Sequence, residues 1–264
     1  MKKVLSLFMA LLMSIAMFAQ NDLMDWANEK PQNKVNSVTV EKHRFPLQLQ
    51  DGKITSSGSI SLPGKSAKDI FVSSMLWVVN TYPSSRTMFK KIDADNFRFL
   101  IEPAVMSTQY ASTGTYYKCK LVVQAKDGEL VFQAFDITST HLGGGLSLSM
   151  KTETFEELMP DLNPKKKKPQ VYLEEFTAGN SNTISMMAHN SKLEPSHSIS
   201  HWNEIMEGVV VAGMTSTECL LAWGKPNAIN VTKGDFGNHQ QWVYEGRQYL
   251  YMEDGILTSM QNSK

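Results

Sequence analysis

The chain has two cysteines, Cys119 and Cys219, among 264 residues. Two cysteines make no disulfide framework, and a chain of this length folds without one. Charge of one sign is also missing: 26 basic residues face 26 acidic ones. That balance argues against a dedicated nucleic-acid binder, which would show a basic excess. No apolar run after residue 19 approaches the ~20 residues of a membrane-spanning helix, so no integral membrane segment is expected in the mature chain. The G-x-S-x-G nucleophile elbow is absent, as are the G-x-x-x-x-G-K-[ST] phosphate loop and H-E-x-x-H. Gly143, Gly144 and Gly145 lack phosphate-loop spacing and read as a flexible turn. No cofactor is implied.

What is there begins with a leader. Met1, Lys2 and Lys3 precede an apolar stretch from Val4 to Phe18, and the small Ala19 precedes the polar Gln20 and Asn21. A basic start, a short apolar run and a small residue at the cut form a secretory signal. Residues 1–19 are therefore read as a signal peptide, and the protein as exported, to the periplasm or the exterior. Lys2 and Lys3 leave with the leader, so 26 basic residues become 24 against 26 acidic ones.

Residues 20–35 read as a mobile lead-in. Val38 and Val40 alternate with Thr39 and Glu41, which predicts a half-buried strand. Gln50, Asp51, Gly52 and Lys53 signal a turn. Ser66 and Asp69 mark a helix start, Ile70 to Val79 supply its apolar stripe, and Pro83 ends it. Phe97, Phe99 and Ile101 share one face of a strand; Tyr117, Cys119, Leu121 and Val123 share one face of the next. That position predicts a buried thiol. Lys126, Asp127, Gly128 and Glu129 turn the chain into a third strand over 130–137. Residues 151–163 read as a short helix or loop. Residues 171–192 read as a longer helix, interrupted at Gly179 and Asn180. Residues 193–199, with Pro195, read as a linker.

After the linker the signals sharpen. Thr215 and Glu218 fit a capping box, flanked by Met214 and Cys219 as a hydrophobic staple. Gly224 and Pro226 stop that helix. Strands are expected near 227–232, 239–245, 247–253 and 256–261, with tight turns at Glu245-Gly246 and Asp254-Gly255. The fold class is α+β: an antiparallel sheet with helices over residues 36–192, then a helix and meander over 200–264.

Two resemblances follow from these stretches. Residues 36–192, with IFVSSMLWVVNTY, YYKCKLVVQAKDGEL and FQAFDITS, resemble the bacterial domain of unknown function 4468, which has a TBP-like fold. That resemblance implies a curved antiparallel sheet backed by helices and does not imply DNA binding. Residues 205–260, with GMTSTECLLAWGKP and QWVYEGRQYLYMEDGILTSMQ, resemble the SmpA/OmlA (BamE-like) outer-membrane lipoproteins. This second resemblance implies a module for protein contacts in the cell envelope. The chain departs from those lipoproteins in lacking a lipidation cysteine. The same architecture occurs in secreted β-lactamase inhibitors. Neither resemblance supplies a catalytic residue.

Each candidate site in the sequence also has a plain structural role open to it. His197 and His201 stand four apart with Glu204 beyond, a spacing that could hold a metal, but Pro195 places His197 ahead of any helix. Exposed linker histidines are the expectation there, and no metal is assigned. Lys165 to Lys168, flanked by Pro164 and Pro169, read as a solvated loop. Catalysis by Cys119 or Cys219 would need His189, His201 or His239 beside it, and nothing in the spacing supports that. Trp242, Tyr244, Tyr249 and Tyr251 interleave on the terminal strands. Exposed, they would form a binding face; covered, they would pack beneath the helix at Leu220–Trp223. The functional expectation is a non-enzymatic binding or scaffold module with an unknown protein partner in the envelope. A hydrolase acting on envelope polymer or peptide, and a secreted enzyme inhibitor, are the alternatives.

Overall fold

The structure is a computed structural model that describes residues 40–82, 85–106, 115–142, 150–158, 167–234 and 237–262. The leader, the lead-in, the three consecutive glycines, Lys165 and Lys166 lie outside the described residues. Among those described, no helix is long and apolar enough to cross a membrane.

The first strand, β1, is Leu47–Gln50, and β2 is Lys53–Ser61. Asp51 and Gly52 join them, both with positive φ (48° and 72°), the conformation that a two-residue hairpin turn requires. The strand expected around Val38 and Val40 is not borne out over its described part, because residues 40–46 are not in a sheet. A helix side chain satisfies the backbone there instead: the Phe45 N–H donates to Ser181 Oγ at 3.0 Å.

Helix α1, Ala67–Thr81, starts as its sequence dictates, with the Asp69 N–H donating to the Ser66 side chain. Replacing Ser66 with alanine removes that cap and should cost about 1 kcal/mol. Urea unfolding at neutral pH reads the loss as a lower midpoint with an unchanged slope. The single turn α2, Ser85–Met88, leads into β3, Phe89–Asp93. Then come β4, Arg98–Met106, β5, Thr115–Lys126, and β6, Glu129–Leu142. The large sheet is antiparallel, in the order β1-β2-β6-β5-β4-β3.

β6 carries a register shift that alternation alone does not show. Leu130, Phe132 and Ala134 face the core, and so do Ile137 and Ser139. A bulge opposite Lys118–Lys120, with Asp136 at φ 49°, inserts the residue that switches parity. The Lys120 ammonium meets the Asp136 carboxylate at 2.9 Å across that bulge.

A seventh strand, β7, Met150–Thr154, pairs with the far half of β6. One helical turn, α3, Phe155–Leu158, follows it. Residues 151–158 are thus part strand, where a short helix or loop was expected: polar side chains such as Thr152 pair across the ladder, with Thr152 Oγ1 2.9 Å from Thr140 Oγ1.

Helix α4, Lys167–Leu193, runs without the interruption expected at Gly179 and Asn180. Both residues are buried. The Asn180 amide donates to Ser56 Oγ at 2.9 Å, so it bonds to the sheet rather than competing for the helix backbone. Tertiary packing outweighs two weak helix formers. α1 and α4 lie side by side on one face of the large sheet. Phe71, Phe99, Ile101, Leu121, Leu130, Phe176 and Ile184 fill the space between.

The remaining elements are α5, Trp202–Glu207, α6, Ser216–Trp223, β8, Ala228–Gly234, β9, Gly237–Tyr244, β10, Gln248–Glu253, and β11, Ile256–Asn262. The four strands form an antiparallel meander. The capping box of α6 is present in full, and both staple residues, Met214 and Cys219, are completely buried. Trp242, Leu250, Met252 and Leu257 are buried in the same core, and β11 packs against this helix. α6 also packs against α1, and the Trp202 ring sits 5.6 Å from that of Phe71. One continuous apolar core therefore extends from Phe45 to Leu257. The α+β class holds, with a second four-stranded antiparallel sheet beside the larger one.

Candidate functional site

A cleft of about 350 Å³ opens where α2, the end of α5, the end of α6 and the β9–β10 turn converge. Its lining is Arg86, Gly208, Ala222, Trp223, Tyr244 and Gln248. Each wall has a local cause. α5 ends because Gly208 adopts a left-handed conformation (φ 71°) as its C-cap. A side chain there would meet Arg86: a Cβ on Gly208 would stand 3.2 Å from Nε. The bare glycine lets the guanidinium lie against the backbone, where Nη2 donates to the Met206 carbonyl at 2.6 Å. That carbonyl belongs to the last turn of α5, which favours a cation.

The aromatic walls spend their polar atoms on the fold. Trp223 Nε1 donates to the Gly208 carbonyl at 3.1 Å, and the Tyr244 hydroxyl donates to the Gly224 carbonyl at 3.0 Å. Their rings meet edge to face at 5.3 Å. Burial, and then the nearby Cys219, push the Tyr244 pKa up, so its hydroxyl stays protonated. Arg86 is half-buried, and burial lowers its pKa. Its one acceptor among the described residues is the Met206 carbonyl, and no carboxylate pairs with it there. A guanidinium has five N–H groups, so donors are left over. The cleft thus offers aromatic surface and, among the described residues, one positive charge with no carboxylate against it.

The four aromatics expected on the terminal strands do not share a face. Trp242 is 3% exposed and turns toward α6, and Tyr244 joins the cleft wall. Tyr249 and Tyr251 alternate with the buried Leu250 and Met252 and so face away from α6. On that far face a polar row crosses all four strands. Asn230 donates to Gln241 Oε1 at 2.9 Å, Gln241 to the Tyr251 hydroxyl at 3.2 Å, and Tyr251 to Gln261 Oε1 at 2.8 Å.

The histidines of the 193–204 stretch are not brought together on one group. His197 has Glu194 at 3.0 Å on one ring nitrogen and Thr217 at 3.2 Å on the other. His201 sits 3.1 Å from Glu218 and precedes α5 rather than lying on a shared helix face with His197. Both thiols are free and buried, as their apolar positions predict. Burial raises the Cys119 pKa; burial, and then the Glu218 charge, push Cys219 up to about 12. Neither is a thiolate at neutral pH.

Sequence reasoning missed Arg86, Gly208 and Gln248. The contact from Arg86 to Met206 spans 120 positions and leaves no local pattern. Gly208, a glycine ending an apolar-periodic run, was the one available signal.

No family model matches the chain, and no curated protein matches it. Among solved structures, a TBP-like protein from Parabacteroides distasonis is similar at 15% identity and a TM-score of 0.47, over 56% of this chain and 98% of that one. A DUF4468 family protein from Bacteroides ovatus is similar at 16% identity and a TM-score of 0.41, over 58% of this chain and 94% of that one.

Proposed function

We propose that the chain is an exported, non-enzymatic binding module that contacts a protein of the cell envelope or exterior. The observation that carries this reading is the Arg86 cleft, where the polar atoms of the walls hold the fold and what faces outward is ring surface and charge. Aromatic residues and arginine are the types enriched where proteins bind one another. The leader of residues 1–19 supports export. The resemblance of residues 205–260 to envelope lipoproteins supports a role in protein contacts.

The test is site-specific photocrosslinking in cells, with the full-length gene and a photoreactive residue at Gln248 in the cleft or, as controls away from it, at Tyr249 on the far face of the small sheet or Lys91 on the large sheet. The expected result is one recurring envelope protein captured from Gln248 and not from Tyr249 or Lys91. The tagged protein should fractionate outside the cytoplasm with its N-terminus near Gln20. Equal capture from all three positions, or a cytoplasmic protein with an intact leader, would overturn the reading.

A further inference from the structure

We propose that the Arg86 cleft binds a single carboxylate carried on an aromatic group, with the guanidinium as anchor and the Trp223 and Tyr244 rings as walls. This deepens the binding reading by naming a ligand class, and it rests on that reading.

Three observations converge. The cation is half-buried and lacks an anionic partner among the described residues, while part of its hydrogen-bonding capacity is unspent. A charge in that position gains from an anion more than a solvated surface charge would. The walls are Trp223, Tyr244 and Ala222, and both ring residues have already committed their donors to Gly208 and Gly224. A ligand therefore meets some ring carbon beside the charge, on a lining that is otherwise largely polar. The size also limits the choice: about 350 Å³ lies at the small end of ligand sites, which run from ~300 to 1,000 Å³.

The charge count favours carboxylate over phosphate. One guanidinium matches one carboxylate in shape and charge. A phosphate dianion would keep a net negative charge in the cleft, since Arg86 is the one cation among its described lining residues. Gln248, at the rim, can donate to the second carboxylate oxygen.

Two sources share this chemistry: a free aromatic acid, and the C-terminus of a peptide ending in an aromatic residue. The experiment titrates the intact mature protein with phenylacetate, with the tetrapeptide Gly-Gly-Gly-Phe, with that peptide as its C-terminal amide, and with inorganic phosphate. Binding is followed through the indole N–H resonance of Trp223. At least one acid should saturate, and the peptide amide should bind at least about tenfold more weakly than the peptide acid if the peptide is the ligand. Saturation by the peptide acid alone assigns a chain terminus; saturation by phenylacetate alone assigns a small acid. Arg86→Gln should abolish saturation, and Arg86→Lys, which keeps the charge without the fork, should bind more weakly than the wild type. The wild-type comparison of acid with amide needs no variant, so a misfolded substitution leaves the test intact. No saturation by either acid, equal saturation by peptide acid and peptide amide, or tighter binding of phosphate would overturn the proposal. A partner captured by crosslinking at Gln248 despite such a failure would leave the binding reading standing.

Discussion

Exchanging Glu218 for glutamine should destabilise the protein by about 3 kcal/mol at neutral pH. The Glu218 carboxylate is 1% exposed and collects five hydrogen bonds. Oε1 accepts from the Ser200 N–H at 2.6 Å, the His201 N–H at 3.0 Å and the His201 ring at 3.1 Å. Oε2 accepts from the Thr215 N–H at 2.8 Å and the Thr215 hydroxyl at 3.0 Å. One side chain thus closes the cap of α6 and pins the segment that enters α5. Glutamine would turn an NH₂ group toward donors and leave some of them buried and unpaired. Burial by itself would raise the Glu218 pKa. The N–H groups of Thr215 and Ser200, then the His201 ring and N–H, outweigh burial and bring it from 4.5 to about 2.

A carboxyl group held below its unfolded pKa stabilises the fold above that unfolded value. The contribution of Glu218 is therefore complete above pH ~4.5 and disappears as pH falls through about 2. Urea unfolding of wild type and Glu218→Gln at pH 7 and pH 2.5 checks this. The gap between the two should narrow markedly at the lower pH. A gap of the same size at both values would mean that the loss comes from geometry alone and not from the charge.

The second large effect lies at the other end of the core. Phe176→Ala should cost about 3–5 kcal/mol. Phe176 is fully buried and meets Phe155 at 5.4 Å and Tyr117 at 6.1 Å, and those two rings meet each other at 5.9 Å. The three come from α4, α3 and β5, so the cluster seats the long helix on the sheet. Beside it, the Tyr117 hydroxyl donates to Glu175 at 2.6 Å. Truncation would leave a cavity walled by two rigid rings, which collapse poorly around it. Phe176→Leu keeps most of the volume and should lose clearly less than Phe176→Ala. Chemical denaturation of both variants decides the matter, and equal losses would show that volume is not what Phe176 supplies.

The parts of this fold that could be read from the chain are those with local causes. Ser66 and Asp69 started a helix, Thr215 and Glu218 closed a capping box, and Asp127-Gly128 and Asp254-Gly255 turned hairpins. Alternation along β5 by itself places Cys119 among the buried residues. What stayed hidden depended on distant partners. Asn180 looked like a helix breaker until Ser56, 124 positions away, took its amide. β7 has weak apolar alternation, and its pairing to β6 was not visible in its own five residues. The cleft was illegible for the same reason, because Arg86 acquires meaning only when Gly208 and Trp223 arrive beside it. The aromatic strands were half legible: their alternation was clear, but which two of the four rings α6 would cover was not.

The two buried thiols give the molecule a pair of internal clocks. Cys119 lies in the large sheet and Cys219 in the helix beneath the small one, at 2% and 0% exposure. Neither can react with an alkylating reagent until the layer above it opens, so the labelling rate of each measures the free energy of that opening. Because α6 rests on α1, the helix that carries Cys219 is held from both sides. If that shared packing makes the two layers open together, both thiols should be labelled at a single common rate; a faster Cys219 would mark the meander as a separate cooperative unit.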